Sequence, residues 1–317
     1  MSSSAPTIAA RARIGATGQR TRLAVLGPPA WLAICCPPPQ TPAYRACGVA
    51  VSPGDDPELT LAAVNRFAPD VTVVLDPRCL SGDALRRLPG ITLGILVASS
   101  VHAERHPAPE LGDRLAALDR VASFRTALTG TEVAGRRIWR AIPPPIADML
   151  YGEVRPLHRR PSVMTIGRST THRDDLLLPA KHHHDLLEII HGVAGEELAA
   201  LLGEYDAGVY VPREPGAGFG AQVGVHLAAG QLLFANSLGP RHGLEPGLDY
   251  LSFDSGGELV YMLDRLARFP EMYQRIRLRG RMKAEHYRAS RTFQRIVHDL
   301  RLDVAAFEER RSGGSGG

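Results

Sequence analysis

One rhythm, started twice, constrains this chain more than any other feature. In the first half, short β-branched apolar runs alternate with helix-like stretches. The runs are Arg22–Leu26, Gly48–Val51, Val71–Leu75, Ile91–Val97, Arg120–Phe124 and Arg137–Ile142. Between them lie Asp56–Phe67, Gly82–Leu88 and Glu110–Leu118; Asp55 or Asp56 is placed to cap the first, and Pro57 sits in its opening turn. Strands of near-continuous apolar character separated by helices predict a parallel sheet covered on both faces, a doubly wound layout. Pro143-Pro144-Pro145 stops the pattern, because such a run continues neither a helix nor an inner strand.

After a polar stretch to Pro161 the rhythm resumes. Val163–Ile166 reads as a strand ending in Gly167-Arg168, and Leu176–Leu178 and Leu186–Ile190 are apolar on either side of a polar turn. Glu196–Leu202 reads as a helix, Ala207–Val211 as a strand, Val223–Ala229 as a helix, and Gln231–Ala235 and Tyr250–Phe253 as strands. Helices follow over Gly257–Ala267 and from Pro270 to about Arg310. The expected class is α/β, with two Rossmann-like domains facing a cleft. The expected boundaries are a disordered N-terminus over 1–20, an N-terminal domain over 21–145, a linker over 146–161, a C-terminal domain over 162–311 and a flexible tail over 312–317. A length of 317 residues suits two domains at ~150 residues each. Ligands in such sheets bind at the C-terminal strand ends, so the cleft is the expected site.

Composition narrows the class. Apolar residues make up 44% and charged residues 22%, as in an ordinary soluble protein. A net charge of +4 is far from that of a polybasic nucleic-acid binder, so no nucleic-acid partner is expected. Much of the excess lies between Arg275 and Arg301. A solvated helix face is the plain reading of that stretch; attraction to a phosphate-bearing ligand or to an anionic membrane surface is the other. Cys35, Cys36, Cys47 and Cys79 form no C-x-x-C pair, and reduced thiols in a cytoplasmic protein fit them best. No segment reaches the ~20 apolar residues that span a bilayer. The apolar stretch Leu23–Cys36 reads as a first buried strand and loop rather than a signal peptide, since Pro28 and Pro29 interrupt it.

Several residues have positions that suit chemistry. Gly216–Gly230 is a glycine-rich turn that follows a strand and opens a helix. Such a turn either lets backbone N–H groups approach a phosphate at the helix N-terminus, with Gly218 and Gly220 allowing close approach, or simply turns the chain. Arg168 follows a strand end, where its planar fork suits a diphosphate; Arg173 and Lys181 could add positive charge or be surface cations. Glu214, just past a strand, is the best-placed carboxylate of the second half for sugar hydroxyls, with a solvated loop residue as the alternative. His191 ends a predicted strand at the cleft rim, in a structural or a base-contacting role. His102, beyond the strand Ile91–Val97, contacts a sugar or polarises a leaving group, or is a surface histidine. His226 reads as a satisfied helix histidine. The run His182-His183-His184 is not read as a metal site, because helical neighbours project about 100° apart.

These pieces carry a resemblance. Met164–Arg168 (M-T-I-G-R), His172–Asp174 (H-R-D), Pro179–His183 (P-A-K-H-H), His191–Val193 (H-G-V), His226–Gly230 (H-L-A-A-G), His242–Gly247 (H-G-L-E-P-G), Asp249–Leu251 (D-Y-L) and Arg279–Glu285 (R-G-R-M-K-A-E) cover almost all of residues 160–305 in order. This half resembles the donor domain of GT-B glycosyltransferases, most closely the bacterial glycosyltransferase family 1 or CgeB-like group. The first half matches in its strand rhythm and in Ile142–Pro145, and the resemblance implies that the last long helix, Gln274 to Arg310, crosses back to the first domain. The resemblance implies transfer of a sugar from a UDP- or GDP-linked donor to an unknown acceptor, with neither metal nor cofactor. It implies Arg168 and Lys181 as phosphate cations and Gly218, Phe219 and Gly220 as the cradle. It places Glu214 and His102 as the catalytic candidates and His191 at the donor. The sequence departs from the family where relatives carry an acidic pair: Ala217 and Val225 stand there, and Gln222 ends a Phe-Glu-x-Arg piece that reads Phe219-Gly220-Ala221-Gln222. Three readings follow. They are an active transferase, a non-catalytic protein of the same fold that binds a nucleotide, glycan or protein, and a sugar-nucleotide epimerase.

Overall fold

A computed structural model describes residues 20–52, 54–97, 109–125, 128–158, 160–190, 192–239 and 241–313. The first half contains strands β1 (Thr21–Gly27), β2 (Tyr44–Ala50), β3 (Val71–Leu75), β4 (Ile91–Leu96) and β5 (Arg120–Ser123). An antiparallel hairpin of β6 (Glu132–Val133) and β7 (Arg136–Arg137) precedes a short β8 (Arg140–Ala141). One parallel sheet runs β2-β1-β3-β4-β5-β8. Its inner strands β3 and β4 are buried along their whole length because both faces are covered. Leu23, Ala24, Val25 and Leu26 are all fully buried, with Leu23 and Val25 in one core and Ala24 and Leu26 in the other.

Helices α1 (Pro29–Cys35), α2 (Pro57–Phe67), α3 (Gly82–Arg86) and α4 (Pro109–Ala116) alternate with these strands. Asp56 caps α2 by accepting from the Glu58 N–H, with Pro57 at the first helical position. Gly27 to Cys36, expected as loop, is helical from Pro29. A proline at the first turn loses no hydrogen bond, so the Pro28-Pro29 pair starts this helix instead of breaking it.

In the second half, β9 (Val163–Ile166), β10 (Leu186–Ile189), β11 (Ala207–Tyr210), β12 (Leu232–Asn236) and β13 (Leu251–Phe253) form a parallel sheet in the order β10-β9-β11-β12-β13. Helix α5 (Thr171–His183) absorbs the stretch expected as a polar turn between apolar segments. Thr170 caps it through the Arg173 N–H, and Pro179 is accommodated inside it. Helices α6 (Gly195–Glu204), α7 (Ala221–Ala228), α8 (Gly256–Arg268) and α9 (Gln274–Ala284) complete this half.

The helix expected from Gln274 onward is broken. After α9 a short 3-10 turn covers Glu285–Tyr287, Arg288 leaves helical geometry at φ −53° and ψ 126°, and α10 (Ala289–Gly313) follows. Phe293, Ile296, Val297, Leu300 and Val304 recur at helical spacing on one face of α10 and join the core of the first sheet, beside Leu23, Val25 and Val73. The last helix therefore crosses back to the first half. At the crossing the two connecting strands run side by side. The Ile146 N–H donates to the Tyr287 carbonyl at 2.7 Å, and the Ala289 N–H to that of Ile146 at 2.8 Å.

Candidate functional site

The C-terminal ends of β9 and β11 face the first half across a cavity of ≈ 260 Å³. Trp31, Val97, Phe124, Arg125 and Pro144 line it from one side. Gly167, Arg168, Arg173, Tyr210, Arg213, Phe219, Gly220 and Gln222 are among the residues lining the other. Two larger hollows, of ≈ 550 and ≈ 990 Å³, lie along α10 and beside the β6–β7 hairpin, and neither takes a residue from the second sheet. The cavity between the sheets is the one at a position where parallel sheets hold ligands.

Its floor is built by glycines and one buried arginine. Gly167 has φ +138°, and a Cβ there would stand 3.0 Å from Nη1 of Arg173. The capped first turn of α5 aims Arg173 inward. Its Nη1 donates to the Val211 carbonyl at 2.7 Å and its Nη2 to Thr165 Oγ1 at 3.0 Å. Arg173 is 3% exposed, and its Nε has no hydrogen-bond partner among the described residues. Burial lowers its pKa, opposed by the Glu188 carboxylate. That carboxylate lies 3.9 Å away and is already bonded to Lys181 at 2.6 Å.

The glycine turn behaves as a turn-to-helix junction. Gly218 has φ +74°, and its carbonyl accepts from the Tyr210 hydroxyl at 2.6 Å. A Cβ on Gly220 would lie 2.7 Å from that same hydroxyl, so the backbone runs too close to Tyr210 for a side chain. Gly220 is the N-cap of α7 and supplies no side chain to its first N–H groups. The cavity wall there consists of Gly220, Ala221 and Gln222. An uncapped helix N-terminus with small residues at its mouth suits an anion.

Arg168 and Arg213 stand exposed at the rim, and no hydrogen bond or ion pair engages either guanidinium among the described residues. Phe219 is 8% exposed and lies edge-on to His242 and Tyr287, at 4.8 and 5.7 Å between ring centroids, which fixes the turn against the crossing segment. Opposite, Trp31 and Phe124 pack with ring centroids 5.6 Å apart.

The structure gathers Arg168, Phe219 and Gly220 at the cavity, with Gly218 directly behind. Lys181, expected as a phosphate cation, does not line it; near the C-terminal end of α5 it is tied to Glu188. Glu214 lies in the loop after β11, where its carbonyl accepts from the Ala217 N–H, and it does not line the cavity. His102 and His191 lie outside the described residues. His226 is fully buried. Its Nδ1 meets Gln231 Oε1 at 2.6 Å while the Gln231 amide donates to the Leu202 carbonyl, and burial lowers its pKa to about 4. His182 and His183 are exposed, and His184 faces Asp264. Among the described residues no cluster of His, Cys, Asp and Glu could hold a metal ion. Sequence reading left Arg173 as an undecided cation and passed over Arg213. Arg213 carries a signal, since it follows a strand end just as Arg168 does; Arg173 carries none, because a cation in the first turn of a helix is ordinarily solvated.

No family model and no curated protein matches the sequence. Solved structures do. HepE of Anabaena, in complex with UDP and glucose, superposes with a TM-score of 0.58 at 11% identity, over 89% of this chain and 99% of that one. A glycosyltransferase from Rickettsia africae gives 0.55 at 10% identity, over 90% and 99%. Sucrose-phosphate synthase from Thermosynechococcus elongatus gives 0.52 at 13% identity, over 93% and 100%. The fold is GT-B. At these identities the likeness establishes the architecture, and the chemistry has to be argued from this chain's own cleft.

Proposed function

We propose that this protein is a glycosyltransferase that moves a sugar from a nucleotide-diphosphate donor, UDP- or GDP-linked, to an acceptor bound against the first half. The observation that carries the reading is the arginine-lined cavity at the uncapped N-terminus of α7. Arg168 reaches the diphosphate from the rim, the α7 N–H groups approach it from the end, and Arg173 adds positive potential beneath. In this reading the leaving diphosphate is stabilised by guanidinium groups and a helix terminus, so transfer needs no bound metal. Trp31 and Phe124 offer the acceptor an apolar wall.

A second reading has one observation in its favour. Among the described residues no carboxylate lines the cavity, and Ala217 and Val225 stand where the resemblance implies acids. A protein that binds the nucleotide without turning it over would look the same.

Calorimetric titration with UDP, GDP and their sugar conjugates tests both. Micromolar binding by the wild type that weakens about tenfold or more in Arg168→Ala supports the donor site, since a charge-assisted hydrogen bond is worth ~1.5–3 kcal/mol. Slow release of free sugar from the bound donor, unchanged by a chelator, separates the transferase from the binder. Absence of binding to any nucleotide removes both readings.

A further inference from the structure

The donor side of the cavity carries more positive charge than a nucleoside diphosphate offsets. A diphosphate diester presents one negative charge on each phosphate. Arg168 at the rim and Arg173 beneath it match those charges by themselves, which leaves Arg213, exposed at the rim, in excess. Arg173 is buried beneath them; its two neighbouring carboxylates are already engaged, Glu188 by Lys181 at 2.6 Å and Asp174 by the Ser169 hydroxyl, and its Nε is unpartnered. A buried cation whose neighbours are so engaged raises the affinity of the space above it for anions. No Asp or Glu among the described lining residues lowers that potential. A site for a neutral sugar is normally lined by carboxylates that accept from hydroxyls, and here Ala217 stands at the one such position that lines the cavity.

We propose that the donor sugar is itself anionic, a nucleotide-linked hexuronic acid, and that Arg213 reads its carboxylate. The inference rests on the donor-site reading above. Arg213 is suitably placed for this. Its loop leaves β11 and leads directly into the glycine turn, and its carbonyl is held by Thr170 Oγ1 at 3.0 Å. A fixed backbone presents a guanidinium that is otherwise unengaged among the described residues. A guanidinium fork pairs with a carboxylate through two parallel hydrogen bonds, a geometry that a hydroxyl does not match.

The test is calorimetry with UDP, UDP-glucose and UDP-glucuronate, and with GDP, GDP-mannose and GDP-mannuronate, on the wild type, Arg213→Ala and Arg213→Glu. The Arg213 side chain is exposed, so all three proteins should melt alike. For whichever base binds, the acid sugar nucleotide should bind about tenfold or more tightly than its neutral partner, the range expected of one charged hydrogen-bonded pair. Arg213→Ala should bring that ratio close to one, and Arg213→Glu should reverse it. Equal affinity for the neutral and acid donors, or a preference that survives Arg213→Ala, overturns this inference and leaves the donor site standing. Failure of every nucleotide, UDP and GDP included, overturns the donor site and the inference together.

Discussion

At the scale of single residues, two partly similar signals in the sequence ended in opposite places. Arg168 and His226 both stand in pieces that resemble a glycosyltransferase donor domain. Arg168 emerges at the cavity, while His226 is sealed inside. The reason for the second is Gly208. A Cβ there would fall 2.2 Å from the His226 ring, so the strand accepts the imidazole flat against its backbone, and Gln231 completes the packing. This makes a stability prediction. Burial holds the folded-state pKa of His226 at about 4, below its ordinary 6.5. As pH falls through 6.5, the unfolded chain takes up a proton that the folded protein refuses, so stability is lost on acidification. Between pH 7 and pH 5 the loss from this residue is about 2 kcal/mol. Urea unfolding at the two pH values should show it, and His226→Gln should remove most of it; an unchanged difference in the variant would place the titration elsewhere. Arg173 shows what was not legible. A cation at the third helical position is ordinarily solvated, and only the approach of β11 turns it into a buried group bonded to Thr165 and Val211.

At the scale of elements, strand rhythm was sufficient for both sheets, because long apolar runs have no alternative but to be covered on two faces. Boundaries that depend on proline were less legible. Pro29 opens α1 and Pro179 lies within α5, although each reads as a break by itself. The end of α9 had no strong sequence mark either. The chain leaves helix there because Glu285 is held by Arg281, at 2.8 Å, and by Arg288, at 2.6 Å, and because Arg288 must run alongside Ile146. Asp148 anchors the start of α10, accepting from the Ser290 N–H at 2.9 Å and the Ser290 hydroxyl at 2.7 Å. Asp148→Ala should therefore loosen the passage between the halves without touching the cavity. The expected cost is about 1–2 kcal/mol in urea unfolding, together with faster protease cleavage near Pro143–Pro145. A variant with both quantities unchanged would show that core burial alone holds α10 in place.

At the scale of the whole molecule, the basic run between Arg275 and Arg301 separates into cations used inside the fold and cations left at the surface. Arg277 is 4% exposed, donates to the Gly230 carbonyl and to that of Arg155, and lies 3.8 Å from Asp206. Arg279 pairs with Asp249, and Arg281 with Glu285. A solvated face is thus only part of the account. Among what remains outside, Leu278 and Met282, 45% and 71% exposed, lie one helical turn apart on α9 beside the exposed Arg275, and Met272, 59% exposed, lies in the turn before that helix. No helix of the described residues is long and apolar enough to cross a membrane. An apolar patch beside arginine is instead suited to lie on an anionic bilayer, its apolar side chains entering the headgroup boundary and its cations meeting lipid phosphates. The prediction is flotation of the protein with vesicles containing phosphatidylglycerol and not with pure phosphatidylcholine vesicles, weakening as salt rises because the attraction is screened within ~8–10 Å. Met282→Glu should reduce it severalfold by placing an anion in the patch, while nucleotide affinity stays at the wild-type value because Met282 lies outside the cavity. If Met282→Glu floats as well as the wild type, the patch is not the contact, and the exposed Arg291 and Arg295 on α10 become the cations to alter. If flotation is independent of lipid charge, the arginines have no part in it.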